Sequence, residues 1–193
     1  MKIMDNLNIM LVGVGGQGTL LASRILGNVA MKKGYDVKVS EVHGMSQRGG
    51  SVVTYVKMGE KVYSPLIEKG EADIIIAFEK LEALRWVEYL KKGGTLVIND
   101  QEINPMPVII GKAKYPENII GLLRDNDIQV QSIDALAIAR ECGNSKAVNV
   151  VLIGLMARST NMSREVWLQA MEEVIPPKLL EVNIKAFNEG YNR

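Results

Sequence analysis

The sequence predicts an α/β fold: an open, mostly parallel, doubly wound sheet with a β-hairpin and a helical C-terminal portion. Three observations lead there. Short apolar runs at Ile9–Val12, Ala72–Phe78 and Thr95–Asn99 have the continuous character of strands buried on both faces. Other segments carry apolar residues at three- and four-residue spacing, as in Leu20, Leu21, Ile25, Leu26, Val29 and Ala30, which is the mark of a helix with one buried face. Strands and helices alternate, and parallel neighbours require such crossover connections.

Taken in order, Ile9-Met10-Leu11-Val12 is a strand that ends at Gly13, and Thr19 to Lys33 is a helix that Gly34 stops. Asp36 to Val42 alternates as a second strand. His43 to Gly50 is polar and glycine-rich without apolar periodicity, which predicts a loop at the carboxyl end of that strand. Ser51 to Lys57 and Lys61 to Ser64, flanking Met58-Gly59-Glu60, predict a hairpin. Ala72 to Phe78 is a buried strand. Lys80 to Lys91 reads as an amphipathic helix on Leu81, Leu84, Val87, Tyr89 and Leu90, ended by Gly93-Gly94, and Thr95 to Asn99 is the next strand. After Pro105 and Pro107, Val108-Ile109-Ile110 predicts a short edge strand. A helix around Glu117 to Asp125 and a strand around Ile128 to Ile133 follow, and Asp134 stands where an N-cap belongs. Helices then cover Ala135 to Glu141, Ala147 to Ser159, Ser163 to Val174 and Lys178 to Glu189. No linker or repeat divides the chain, so residues 1–193 read as a single domain whose part from about 135 to 193 is helical.

Composition bounds the function. With 47% hydrophobic and 23% charged residues, the 193-residue chain has ordinary globular usage. Its 23 basic and 22 acidic residues leave a net charge of +1 and no long block of one sign, so neither nucleic acid nor an anionic membrane is expected as a partner. Met1 to Asn6 lacks the apolar stretch of a signal peptide, and the run from Leu7 to Val14 is too short to span a bilayer; a cytoplasmic location is expected. Cys142 is the sole cysteine, which excludes an internal disulfide, a Cys-rich zinc site and a self-contained iron–sulfur cluster.

Gly13-Val14-Gly15-Gly16-Gln17-Gly18 satisfies G-x-G-x-x-G directly after a strand and at the opening of a helix, in a Rossmann-like setting. There, backbone N–H groups from Gly13 to Thr19 and the positive end of the helix dipole favour a phosphate. The same glycines also suit a tight turn with close strand–helix packing and no ligand. The absence of a Walker Lys-Ser/Thr pair argues against a P-loop nucleotidase. Ser46, Gln47, Arg48, Gly49 and Gly50 are expected on the same rim, where Arg48 offers a bidentate pair to phosphate or carboxylate and Gln47 an amide; an ordered loop with Arg48 in a structural or subunit-interface ion pair is the alternative. Glu41, near the end of the second strand, is placed to accept ribose hydroxyls, which keeps a stand-alone NAD(P)-binding oxidoreductase as the alternative. His43, the lone histidine, has no evident catalytic partner, and Cys142 reads as packed. Asn149 is expected to satisfy nearby backbone, and Met10, Met156 and Met171 to fill the core. No catalytic or metal-ligating set emerges.

Three stretches together carry a resemblance: Gly13 to Gly18, Glu41-Val42-His43-Gly44-Met45-Ser46-Gln47-Arg48-Gly49-Gly50-Ser51-Val52, and Ala72-Asp73-Ile74-Ile75-Ile76-Ala77-Phe78-Glu79. The chain resembles, over nearly its whole length, the gamma-type subunits or domains of 2-oxoacid:ferredoxin oxidoreductases, most closely those of the indolepyruvate branch. That resemblance implies oxidative decarboxylation of aryl pyruvates to the aryl acetyl-CoA thioester, with ferredoxin accepting the electrons. It also implies a division of labour in which a large (alpha) subunit holds thiamine diphosphate and the 4Fe-4S clusters. This chain then binds no cofactor alone and completes the active centre, with coenzyme A as cosubstrate and Gly15 to Thr19 and Ser46 to Gly50 closing over it.

Overall fold

The computed structural model describes residues 6–41 and 50–193. The described chain runs β1 (Leu7–Val14), α1 (Thr19–Lys32), β2 (Asp36–Glu41), β3 (Ser51–Gly59), β4 (Ala72–Ala77), α2 (Lys80–Trp86), β5 (Leu90–Asn99) and α3 (Met106–Ile109). It continues with α4 (Ile119–Asp125), β6 (Gln129–Ile133), α5 (Ala135–Glu141), α6 (Val148–Ala157), α7 (Arg164–Val174) and α8 (Pro177–Tyr191). The six strands lie side by side in the order β2-β3-β1-β4-β5-β6. The β1/β4, β4/β5 and β5/β6 pairs are parallel, while β3 runs antiparallel to both of its neighbours.

Alternation along the strands sorts the core into two layers. Ile9, Leu11, Ile74, Ile76 and Val97 meet α1 and the helices from α5 onward. Met10, Val12, Ile75, Ala77, Leu96 and Ile98 face the other way, against Ala83 of α2 and Ile119 and Leu123 of α4. Both faces of the sheet are therefore covered, which is why its central strands read as unbroken apolar runs. Helices α6 and α8 lie unusually close, because a Cβ on Gly154 would strike the Phe187 carbonyl and one on Gly190 the Val151 carbonyl. No helix among the described residues is long and apolar enough to cross a membrane.

Three sequence-based expectations are corrected. The hairpin arm Lys61 to Ser64 is not a strand. Both edges of β3 are already occupied, by β1 and β2, and the backbone N–H of Val62 donates instead to Asp36 Oδ2 at 3.0 Å. The antiparallel hairpin that does form joins β2 to β3. Val108-Ile109-Ile110 belongs to the short helix α3 and the turn after it, because Pro107 fits a first helical turn, where its missing N–H costs nothing. Finally, the α-helix beginning at Lys80 ends at Trp86 and runs on through a 3-10 turn at Val87–Tyr89, and Leu90 already pairs with Ala72 in β5; Gly93-Gly94 lies where the β4/β5 register shifts, inside a strand and not at a helix end.

Candidate functional site

The parallel strands β1, β4 and β5 end on one rim, and β3 begins there. Gly13 and Val14 close β1, with Gly13 opposite Val52. The turn that follows is stapled by Gln17, whose Oε1 accepts the Val14 N–H at 2.7 Å while its Nε2 donates to the Phe78 carbonyl at 3.0 Å. The Gln17 side chain is thereby committed to the scaffold. Gly18 caps α1 with φ 83° and has no room for a side chain: a Cβ would stand 2.7 Å from Asn149 Nδ2, which itself donates to the Gly18 carbonyl at 2.9 Å. Asn149 thus satisfies backbone as its apolar surroundings suggest, but the backbone belongs to the glycine turn, 131 residues away.

Among the described residues no side chain caps α1, and no acid sits in its first turn. Nothing lies within 4 Å of where a Cβ on Gly16 would point. A cavity of about 370 Å³ opens here, lined by Gly15, Gly16, Gly18, Thr19, Leu20, Glu41, Val52 and Thr54. The uncapped N–H groups and the helix dipole make its glycine wall attractive to an anion. Of the second segment that the sequence singled out for this rim, Gly50 is described, and its carbonyl accepts the Gly15 N–H at 3.0 Å. Ser46, Gln47, Arg48 and Gly49, and His43 with them, lie outside the described residues.

Glu41 does line the cavity, yet not as a dinucleotide site would have it. With β3 between β1 and β2, the acid stands two strands from β1, roughly 10 Å at the usual interstrand spacing. Its Oε1 also accepts a 2.5 Å hydrogen bond from Ser23 Oγ on α1.

Beside the cavity, the rim holds a polar network that sequence reasoning did not single out. Glu79, 1% exposed, N-caps α2 by accepting the Glu82 N–H at 2.9 Å, and it also accepts from the Ile103 N–H at 3.1 Å and from the Tyr115 hydroxyl. Burial, followed by the neighbouring Glu79, pushes the Tyr115 phenol far up, so this hydroxyl stays a donor. Asn99, fully buried, donates to the Phe78 carbonyl and to Gln101 Oε1 and accepts from the Ala135 N–H. Glu82 accepts from Ser51 Oγ and lies 3.5 Å from Arg85. The one legible signal was Glu79-x-x-Glu82 at a strand-to-helix junction, the spacing of a capping box. Cys142 is packed, and burial raises its thiol, which makes it a poor nucleophile. Among the described residues no group of three or more His, Cys, Asp or Glu side chains is arranged to hold a metal.

Residues 8–193 match the family described as pyruvate ferredoxin/flavodoxin oxidoreductase. Indolepyruvate oxidoreductase subunit IorB of Pyrococcus horikoshii is 44% identical over 192 residues, and that of Thermococcus kodakarensis 43%; each alignment spans 97% of this chain and 95% of the relative. Among solved structures, the gamma subunit of a keto/oxoacid ferredoxin oxidoreductase from Geobacter sulfurreducens shares the fold with a TM-score of 0.71 at 24% identity, covering 96% of both chains. The 2-oxoglutarate:ferredoxin oxidoreductase of Magnetococcus marinus, solved with 2-oxoglutarate, coenzyme A and succinyl-CoA, shares it with a TM-score of 0.73 at 18% identity; the likeness spans 97% of this chain but 30% of that one. The match from residue 8 onward and the two full-length relatives settle the kinship: the chain belongs to the pyruvate ferredoxin/flavodoxin oxidoreductase family.

Proposed function

We propose that this chain is the small subunit of an indolepyruvate:ferredoxin oxidoreductase, which converts aryl pyruvates and coenzyme A to aryl acetyl-CoA and carbon dioxide while ferredoxin takes the electrons. The observation that carries the reading is identity of 42–44% over nearly full length to relatives named as indolepyruvate oxidoreductase subunits. The chemistry of the chain fits a supporting role. A single cysteine falls short of the thiolates a 4Fe-4S cluster needs, so the clusters fall to the large subunit, and on this reading thiamine diphosphate does too. What this chain offers is the bare opening of α1 beside a cavity, and a phosphate of coenzyme A or the substrate carboxylate fits there against Gly15 to Thr19. Ser46, Gln47, Arg48, Gly49 and Gly50 complete the same pocket, with Arg48 as the charged donor.

Anaerobic co-production with the large subunit tests the assignment. Indolepyruvate- and coenzyme A-dependent reduction of ferredoxin requires both chains, and full activity from the large subunit alone rejects it. Within the complex, Arg48→Ala removes one charge-assisted anion contact and lowers turnover by about tenfold or more, with the melting temperature unchanged. Full turnover at unaltered substrate affinity removes Arg48 from the site.

A further inference from the structure

The far edge of the sheet carries a second feature, remote from the glycine turn. Among the described residues strand β6 has β5 as its one neighbour, which leaves a row of main-chain groups along the outer side. A cleft of about 510 Å³ runs there, lined by Val130, Gln131, Ser132 and Ile133 together with Arg124, Arg158 and Arg193. Successive side chains of a strand point to opposite faces, so four consecutive residues lining one cleft mean that it follows the strand's edge. The arginines come from separate elements: Arg124 from the last turn of α4, Arg158 from the end of α6, and Arg193 from beyond the end of α8. No acidic residue lines the cleft. Among the described residues Arg124 and Arg158 make no ion pair, and Arg193 meets Glu189 only at 3.6 Å. The opposite edge differs, for β2 carries the Asp36–Lys38 pair and borders a groove of mixed sign with Arg24, Glu41 and Glu173.

We propose that the β6 edge is the docking track for an extended, acid-bearing segment of the large subunit, which adds a strand to the sheet and sets its carboxylates against Arg124, Arg158 and Arg193. An open strand edge supplies main-chain hydrogen bonds, and the guanidinium groups select negative charge and fix register. The inference rests on the subunit reading above.

The test uses the complex of the full chain with the large subunit. Hydrogen exchange at the amides of residues 129–133 slows by about tenfold or more on assembly, since a paired edge must open before it exchanges. The double variant R124E/R158E, checked by its own melting curve, assembles about tenfold more weakly at low salt, and the deficit shrinks as salt rises. R124A/R158A shows the same direction with a smaller loss. Unchanged exchange at 129–133 in a wild-type complex overturns the proposal while leaving the subunit reading intact. So does normal assembly of R124E/R158E combined with self-association of the free chain, which makes the arginines mere guards against edge-to-edge pairing. Failure of the wild-type chain to assemble overturns the subunit reading and this inference with it.

Discussion

Among the described residues, the β1 end of the carboxyl rim shows bare backbone, whereas at the β4 and β5 ends buried side chains fill the equivalent positions. The bare half has glycines, an uncapped helix and an open cavity. The filled half has Glu79, Asn99, Tyr115 and Gln101, each polar group meeting a partner within the chain. Buried carboxylates are the usual place to look for catalysis. Here every observed bond of Glu79 goes to scaffold: a helix cap, the Ile103 amide and the Tyr115 hydroxyl. The contrast teaches that, among the described residues, the chemistry-rich side chains of this rim are spent on structure, while the glycine end leaves its main chain open.

The strongest way to break the comparison is at Glu79. Glu79→Ala strands two backbone N–H groups and a tyrosine hydroxyl in the interior, and stability should fall by about 3 kcal/mol or more, roughly 10 °C in melting temperature. A chain that melts normally but whose complex loses turnover would move Glu79 from scaffold to chemistry.

Next come two glycines of the bare half, which separate support from reception. Gly18→Ala combines left-handed strain with a clash against Asn149 and should cost about 2–3 kcal/mol. Gly16→Ala meets nothing within 4 Å, so its cost should be the strain of φ 95° alone, about 1–2 kcal/mol. Its methyl group nevertheless stands in the cavity, and turnover of the complex should drop more than stability does. Unaltered turnover with Gly16→Ala would mean that the bare half receives no ligand.

The two halves also differ in how far the sequence reveals them. The bare half is local: a strand, a glycine turn and a helix within one stretch, each with its own periodicity or breaker, so Gly13 to Thr19 could be placed from pattern alone. The filled half is long-range. Tyr115 reaches Glu79 across 36 residues, and Asn99 reaches Ala135 across the same distance; no spacing rule connects them. The misread segments share that cause. Val62 and Tyr63 alternate as a strand would, but strand formation needs a free partner edge, and β3 had none left. Val108 to Ile110 has strand composition, yet Pro107 turns it into the end of a short helix. Val87–Tyr89 continues the helix as a 3-10 turn, but pairing of Leu90 with Ala72 ends it before Lys91.

The smallest expected effect lies where the halves touch. Ser51 follows Gly50, whose carbonyl takes the Gly15 N–H, and its hydroxyl donates to Glu82 of the filled half. Burial raises the Glu82 carboxyl above its ordinary range, against the opposing pull of Ser51 and Arg85. A carboxyl raised in the folded state favours folding while protonated, and that stability is lost as pH climbs from the unfolded value through the folded one. Glu82→Gln keeps an acceptor for the Ser51 hydroxyl and removes the buried charge. The variant should therefore match the wild type near about pH 4 and equal or exceed it near about pH 8, by no more than about 1 kcal/mol. Turnover of the complex should stay within about twofold, because the anion-facing amides are untouched. A variant clearly less stable at the higher pH would show that the charged bond to Ser51 outweighs burial, and that the filled half grips the glycine turn electrostatically.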